Sequence, residues 1–211
     1  MGATNLEPLG RVIPVVVIDD ESRAADVASA LLAGGIRCAE ITLRTDAGLA
    51  AIAAIAALEL SGFTVGAGTV LTLDDLERSV AAGARFIVSP GFDEELVERA
   101  GDLGVGVLPG IASATEVQRA ARAGVETVKF FPADRLGGLD TIAALAAPFR
   151  HTRFVPSGGV TAQNGLDYLR HPAVPAISGS WMVTRQLVAD GDFAAIERLS
   201  ADFTSRLVTL A

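Results

Sequence analysis

Short runs of β-branched and apolar residues alternate along the whole chain with longer Ala- and Leu-rich stretches, in which apolar positions recur at helical spacing. The short runs predict eight strands: 12–18 (VIPVVVI), 38–44 (CAEITLR), 63–68 (FTVGAG), 85–89 (RFIVS), 105–109 (VGVLP), 126–131 (ETVKFF), 153–158 (RFVPSG) and 175–179 (PAISG). Between them the pattern turns helical, as in 22–35 (SRAADVASALLAGG), where Ser22 is the expected N-cap and glycines close the helix. The closing signature returns as AAG at 81–83, DLG at 102–104 and RAG at 122–124, so Gly83, Gly104 and Gly124 are 21 and 20 residues apart. That beat is one strand–helix unit. Eight units of about 26 residues predict an α/β protein, a compact (β/α)8 TIM barrel forming a single domain over residues 1–211. A doubly wound open sheet is the competing topology. The strand count favours the barrel, and no dinucleotide-binding glycine fingerprint opens the chain.

In a parallel barrel, chemistry collects at the C-terminal ends of the strands. Alternation along the second strand puts Ala39, Ile41 and Leu43 on one face and Glu40, Thr42 and Arg44 on the other. The apolar face suits the helix layer, so Glu40 and Arg44 point into the barrel mouth; the plain alternative is an interior Glu–Arg ion pair. On the sixth strand Thr127, Lys129 and Phe131 share the inward face. A strand lysine ordinarily snorkels or pairs with a carboxylate. Lys129, however, is the only lysine in the chain; the other sixteen of its 17 basic residues are arginine. A guanidinium stays protonated and cannot act as an amine nucleophile. A lysine in a desolvated pocket, near another cation, can attack a carbonyl and form a Schiff base. The resulting iminium is an electron sink, so neither metal nor cofactor is expected.

The last two strands add an anion-binding pattern. Gly158 and Gly159 precede an expected helix start at Thr161, and Gly179 and Ser180 stand at the expected start of another. Glycine lets backbone amides approach a ligand, helix N-termini favour anions, and barrels commonly hold phosphate after strands seven and eight. Composition narrows the partners. A net charge of −8 argues against nucleic acid and anionic membrane surfaces, and no apolar stretch is long enough to span a bilayer. A lone cysteine, Cys38, excludes an internal disulfide, and the N-terminus carries no export-signal pattern, so a cytoplasmic location is expected. His151 and His171 fall outside the strand ends and read as exposed loop residues, leaving no metal-ligand cluster.

Seven blocks, in order and spacing, carry a family resemblance: GGIRCAEITLRT (34–45), VGAGTVLT (65–72), FIVSPGF (86–92), LPGIASATE (108–116), VKFFPAD (128–134), FVPSGGVTAQN (154–164) and SGSWMV (178–183). Over nearly its whole length the chain resembles the 2-keto-3-deoxy-6-phosphogluconate (KDPG) aldolases, which also cleave 4-hydroxy-2-oxoglutarate (KHG). The resemblance implies a class I aldolase barrel, usually trimeric, acting on a small phosphorylated 2-keto acid. It implies that Lys129 is the Schiff-base lysine and Glu40 the acid/base. Arg44 and Thr69 would bind the pyruvyl carboxylate, Pro90 and Phe131 would line the pocket, and Gly158, Gly159, Gly179 and Ser180 would hold phosphate. Ser157 stands where the family commonly has threonine, keeping the hydroxyl and losing the methyl. Gluconate-type and galactonate-type substrates, which differ at one stereocentre, therefore both stay open. A metal-assisted phosphosugar decarboxylase or epimerase would want a D-x-K-x-x-D strand, but Thr127 and Pro132 stand where its acids belong. A non-catalytic sugar-phosphate binding barrel has no use for an inward lysine.

Overall fold

Helix ends follow local capping chemistry, and they set how the strands return. Thr72, Asp93 and Ser113 each accept a backbone N–H from the third residue on, opening α3 (Leu73–Ala81), α4 (Glu94–Asp102) and α5 (Ala114–Arg122). Glu116 reaches back from α5 to accept from the Ala112 N–H and the Ser113 hydroxyl, a variant of the capping box. Gly83, Gly104 and Gly124 close these three helices with φ of 103°, 67° and 78°, a region that side chains with a Cβ rarely adopt. At the first helix the expectation fails. Asp20, not Ser22, does the capping: its carboxylate accepts from the Ser22 N–H and opens a 3-10 turn, Glu21–Arg23, before α1 (Ala24–Ala33).

The structure, a computed structural model, describes residues 9–208; the N-terminal residues that bear on an export signal lie outside them. The other elements are β1 (Val12–Val16), β2 (Cys38–Thr42), α2 (Gly48–Ala57), β3 (Thr64–Gly68), β4 (Phe86–Val88), β5 (Gly106–Leu108), β6 (Gly110–Ile111), β7 (Thr127–Phe130), α6 (Gly138–Ala146), β8 (Arg153–Pro156), α7 (Gly165–Leu169), β9 (Ile177–Gly179), α8 (Arg185–Asp190) and α9 (Phe193–Leu207). Every predicted strand is present, generally trimmed at its ends, and every pairing is parallel. The fold is mixed α/β with curled parallel sheet, in two arcs ordered β5-β4-β3-β2-β1-β9 and β6-β7-β8.

The fifth predicted strand is trimmed to β5 and ends before Pro109, and a two-residue strand that was not expected, β6, follows that proline. Proline has no N–H to give a ladder, and here the chain changes partner: β5 pairs with β4, and β6 pairs with β7. The Pro109 carbonyl still accepts from the Lys129 N–H at 2.8 Å. At the other end of the short arc, a single parallel bridge between Ser157 and Ser178 links the end of β8 to β9.

Alternation sorts the side chains into two apolar clusters. Val12, Val16, Ala39, Ile41, Ala67, Ile87, Val128 and Phe130 face the helices. Ile13, Cys38, Phe86, Val88, Leu108, Val155 and Ala176 fill the inner side of the sheet. Full burial of each large side chain contributes about 1.5–3 kcal/mol. The inner cluster is a plug, and the polar side chains of the inner face lie beyond it toward the strand C-termini.

Candidate active site

Glu40 and Lys129 meet inside the sheet. Lys129 Nζ lies 3.1 Å from Glu40 Oε1 and 3.4 Å from Oε2, although 89 residues separate them in the chain. Glu40 is 1% exposed and Lys129 6%. A buried ion pair costs heavily to desolvate and is weak evidence of a stabilising role, so its position is better explained by chemistry. Strand parity brings the two together: Glu40 is central in β2 and Lys129 is the third residue of β7, both on the inner face. The plain alternative, a Glu40–Arg44 pair, is not what the structure contains. β2 stops at Thr42, and Arg44 sits exposed in the following turn, without an ion-pair partner among the described residues.

Glycine makes room for the carboxylate. A Cβ at Gly68, the last residue of β3, would lie 2.3 Å from Glu40 Oε1 and 2.4 Å from its Cγ. Glu40 occupies the space where a side chain at 68 would be. Gly66 does the same service for the plug, since a Cβ there would sit 2.5 Å from the Phe86 ring. Glycines inside a strand often mark such close approaches, and the VGAG run could have announced this one. Negative charge at Glu40 is also felt two residues back: burial, and secondarily that charge, push the Cys38 thiol far above the usual range. Cys38 is an inert core thiol, donating weakly to the Val12 carbonyl.

The other candidates surround the pair. Phe131 follows β7 at the rim, 37% exposed, with its ring centroid 5.6 Å from Lys129 Nζ. Thr69, after β3, is half-buried and has φ 60°. That conformation is uncommon for a β-branched residue and is typical of strained functional positions. Pro90 is half-buried after β4; its carbonyl passes so near β6 that a Cβ on Gly110 would lie 2.0 Å from it.

The glycine loops differ from expectation. Neither directly precedes a helix: α7 starts at Gly165 and α8 at Arg185, capped by Thr184. After Gly159 the chain enters a turn, in which the Thr161 hydroxyl accepts from the Gln163 and Asn164 amides. Gly158 and Gly159 have φ of 90° and 74°. The Ser157 and Gly158 carbonyls accept from Ala133 and Asp134 N–H, at 2.8 and 3.1 Å, and the Gly159 carbonyl accepts from Asn164 Nδ2. With these carbonyls tied back, the Gly158 and Gly159 amides donate to no protein acceptor among the described residues. Unpaired amides in consecutive left-handed residues suit an anion. Ser157 is buried, Gly179 is the buried end of β9 and Ser180 is exposed just beyond it. Asp134 was not anticipated here: its side chain packs against Gly159, so an acid borders the cradle.

His151 is exposed as expected, whereas His171 is half-buried and its Nδ1 accepts from the Ala173 N–H. Among the described residues no three His, Cys, Asp or Glu side chains are grouped to hold a metal ion, and no helix is long and apolar enough to cross a membrane.

Comparison with known proteins points to one family. A family model described as KDPG and KHG aldolase matches residues 5–199. The chain is 49% identical over 190 residues to a 2-dehydro-3-deoxy-phosphogluconate aldolase of Treponema pallidum, covering 90% of each chain. It is 39% identical over 200 residues to the KHG/KDPG aldolase of Escherichia coli K12, covering 95% of this chain and 93% of that one. Among solved structures, it superposes with a TM-score of 0.89 on the KDPG aldolase of Legionella pneumophila, captured with pyruvate as a covalent carbinolamine intermediate. That protein is 35% identical, with 93% and 95% of the two chains covered. Since the match takes in both the buried lysine and its glutamate, the chain belongs to the KDPG and KHG aldolase family.

Proposed function

We propose that this protein is a class I aldolase that cleaves KDPG to pyruvate and glyceraldehyde 3-phosphate, and KHG to pyruvate and glyoxylate. The observation that carries the reading is the buried pair of Lys129 Nζ and Glu40 Oε1 at 3.1 Å. The lysine amine attacks the C2 ketone, and Glu40, within hydrogen-bond reach, takes up and returns the protons needed to expel the ketone oxygen as water. The iminium then accepts the electron pair of the breaking C3–C4 bond as the C4 hydroxyl loses its proton and the aldehyde departs. Protonation of the enamine and hydrolysis release pyruvate and restore the amine. Exposed, unpaired Arg44 is suited to hold the carboxylate through two charge-assisted bonds, with strained Thr69 adding a hydroxyl. Phe131 and Pro90 form walls. The unpaired Gly158 and Gly159 amides, with Gly179 and Ser180, support a phosphate subsite.

The two arcs of sheet are further inferred to be parts of one (β/α)8 barrel in one domain. The Ser157–Ser178 bridge and the unbroken chain through Pro109 support this reading. The family resemblance extends it to a homotrimer, which light scattering would register as three times the 21.7 kDa chain.

Borohydride reduction in the presence of pyruvate tests the chemistry. One reduced pyruvyl group is expected on the protein, mapping to the peptide with Lys129. An adduct only at the N-terminal amine, or none, would overturn the mechanism. Turnover of both phosphorylated epimers, measured side by side, decides the substrate: with Ser157 in place of threonine, a galactonate preference is the second reading.

A further inference from the structure

Two hydroxyls on inner-face strand positions are buried without a hydrogen-bond partner, Thr42 Oγ1 in β2 and Ser178 Oγ in β9. An unsatisfied buried donor lowers stability, and such groups need a reason. Thr42 has one nearby. It shares its strand face with Glu40, two residues earlier, and its ladder partner in β3 is Gly68. The Glu40 carboxylate lies over Gly68, with Oε1 2.3 Å from where a Cβ at 68 would be. Paired strands are about 4.8 Å apart, so the threonine side chain stands beside the carboxylate, across the space that Gly68 leaves empty.

We infer that Thr42 is a positioning residue for Glu40, its hydroxyl donating to the carboxylate once Lys129 has become the iminium. The inference rests on the aldolase reading. In the resting site both Glu40 oxygens are within reach of Lys129 Nζ, at 3.1 and 3.4 Å. An ammonium carries three N–H donors. Condensation joins the nitrogen to C2 of the keto acid and releases the ketone oxygen as water, together with two of those three hydrogens. The iminium nitrogen keeps one N–H. Glu40 therefore loses donors while staying buried, and a buried carboxylate without donors is costly. Rotation of Thr42 between staggered χ1 positions exchanges its methyl and hydroxyl and supplies a replacement with no backbone movement. The titratable groups around Glu40 are Lys129 from β7 and Cys38 from its own strand, with Arg44 in the turn beyond. Its ladder partners Val15 in β1 and Gly66 in β3 are uncharged.

Full-length Thr42→Val and Thr42→Ser test this. Valine keeps the shape and removes the unsatisfied hydroxyl, so Thr42→Val is expected to melt at or above the wild-type temperature. Its kcat should fall about tenfold or more, the worth of one hydrogen bond to a charged group, with KM little changed. Thr42→Ser should restore most of the kcat. Wild-type kcat in Thr42→Val would overturn the inference, as would a serine variant as impaired as valine, which would make the methyl the important group. Failure of the wild-type protein to turn over either keto acid would instead overturn the aldolase reading, and this inference with it.

Discussion

Two side chains, Lys129 and Glu40, carry the proposed chemistry, and Glu40 shows how far its surroundings commit it. It is 1% exposed, its oxygens face one amine, and it displaces any side chain from position 68. Glutamine at 40 would fit the same space and still hydrogen-bond, but could not shuttle protons. General acid/base catalysis typically contributes about 10²–10⁴-fold, so Glu40→Gln is expected to lose kcat on that scale with a much smaller change in KM. Steady-state kinetics on KDPG would check it. A kcat within about threefold of wild type would reduce Glu40 to a counter-ion for Lys129. Rarity in the sequence pointed to Lys129 because it asked what arginine cannot do. Glu40 was legible through strand alternation, which placed it inward. The identity of its partner was not, because pairing across 89 residues depends on which strands face each other around the sheet. Arg44, the plain alternative on its own strand, fell away because the backbone turns out of β at Leu43.

At the scale of elements, β3 is where the sheet is shaped around the site, and its two inward-facing glycines have separable tasks. Gly68 leaves room for Glu40, and Gly66 leaves room for Phe86 in the apolar plug. Gly68→Ala should push the carboxylate off its line to Lys129, lowering kcat about tenfold or more while the melting temperature moves little, since a carboxylate at the end of a flexible chain can shift. Gly66→Ala drives a methyl into a fully buried aromatic ring, and overpacking of this kind costs about 1–3 kcal/mol. Thermal unfolding and kinetics of the two variants should therefore diverge; equal effects on both readouts would mean that β3 tolerates or rejects side chains as a whole. Strand positions were readable from apolar runs because each strand is short and bounded by glycine or a charged turn. Helix starts were less readable. Asp20 replaces Ser22 as a cap, and α7 and α8 begin several residues after the glycines, because hydrogen-bonded turns at Thr161 and Ser180 intervene. A capping residue in sequence marks where a turn tightens, and not whether that turn goes on to become a helix. Pro109 is a third case, where one missing N–H redirects pairing without ending the extended run.

For the whole molecule, the question is how an acidic protein holds a substrate that carries both a carboxylate and a phosphate. Net charge of −8 opposes approach, and Asp134 beside Gly159 adds local repulsion. The proposed answer is short-range donors: the loop after β7 holds the Ser157 and Gly158 carbonyls, and the Gly158 and Gly159 amides, with Gly179 at the end of β9 and Ser180 just beyond it, are the groups offered to the phosphate. In the proposed reading the phosphate is remote from the carbon that reacts with the lysine, so binding energy at this subsite would serve to position the reacting carbons. Removing the Ser180 hydroxyl deletes one donor to a charged group, worth about 1.5–3 kcal/mol or about 10- to 150-fold. Ser180→Ala is therefore expected to lose that factor in kcat/KM for KDPG and almost nothing for KHG, which has no phosphate. Gly159→Val should show the same selectivity more severely, because φ of 74° strains a β-branched residue and its Cβ would meet Asp134 at 2.3 Å. Because the two substrates share the pyruvyl half and the Schiff base, their ratio cancels any general damage to the fold. Equal losses on both substrates would mean that the glycine loops only shape the mouth, and would shift the physiological substrate toward the unphosphorylated keto acid.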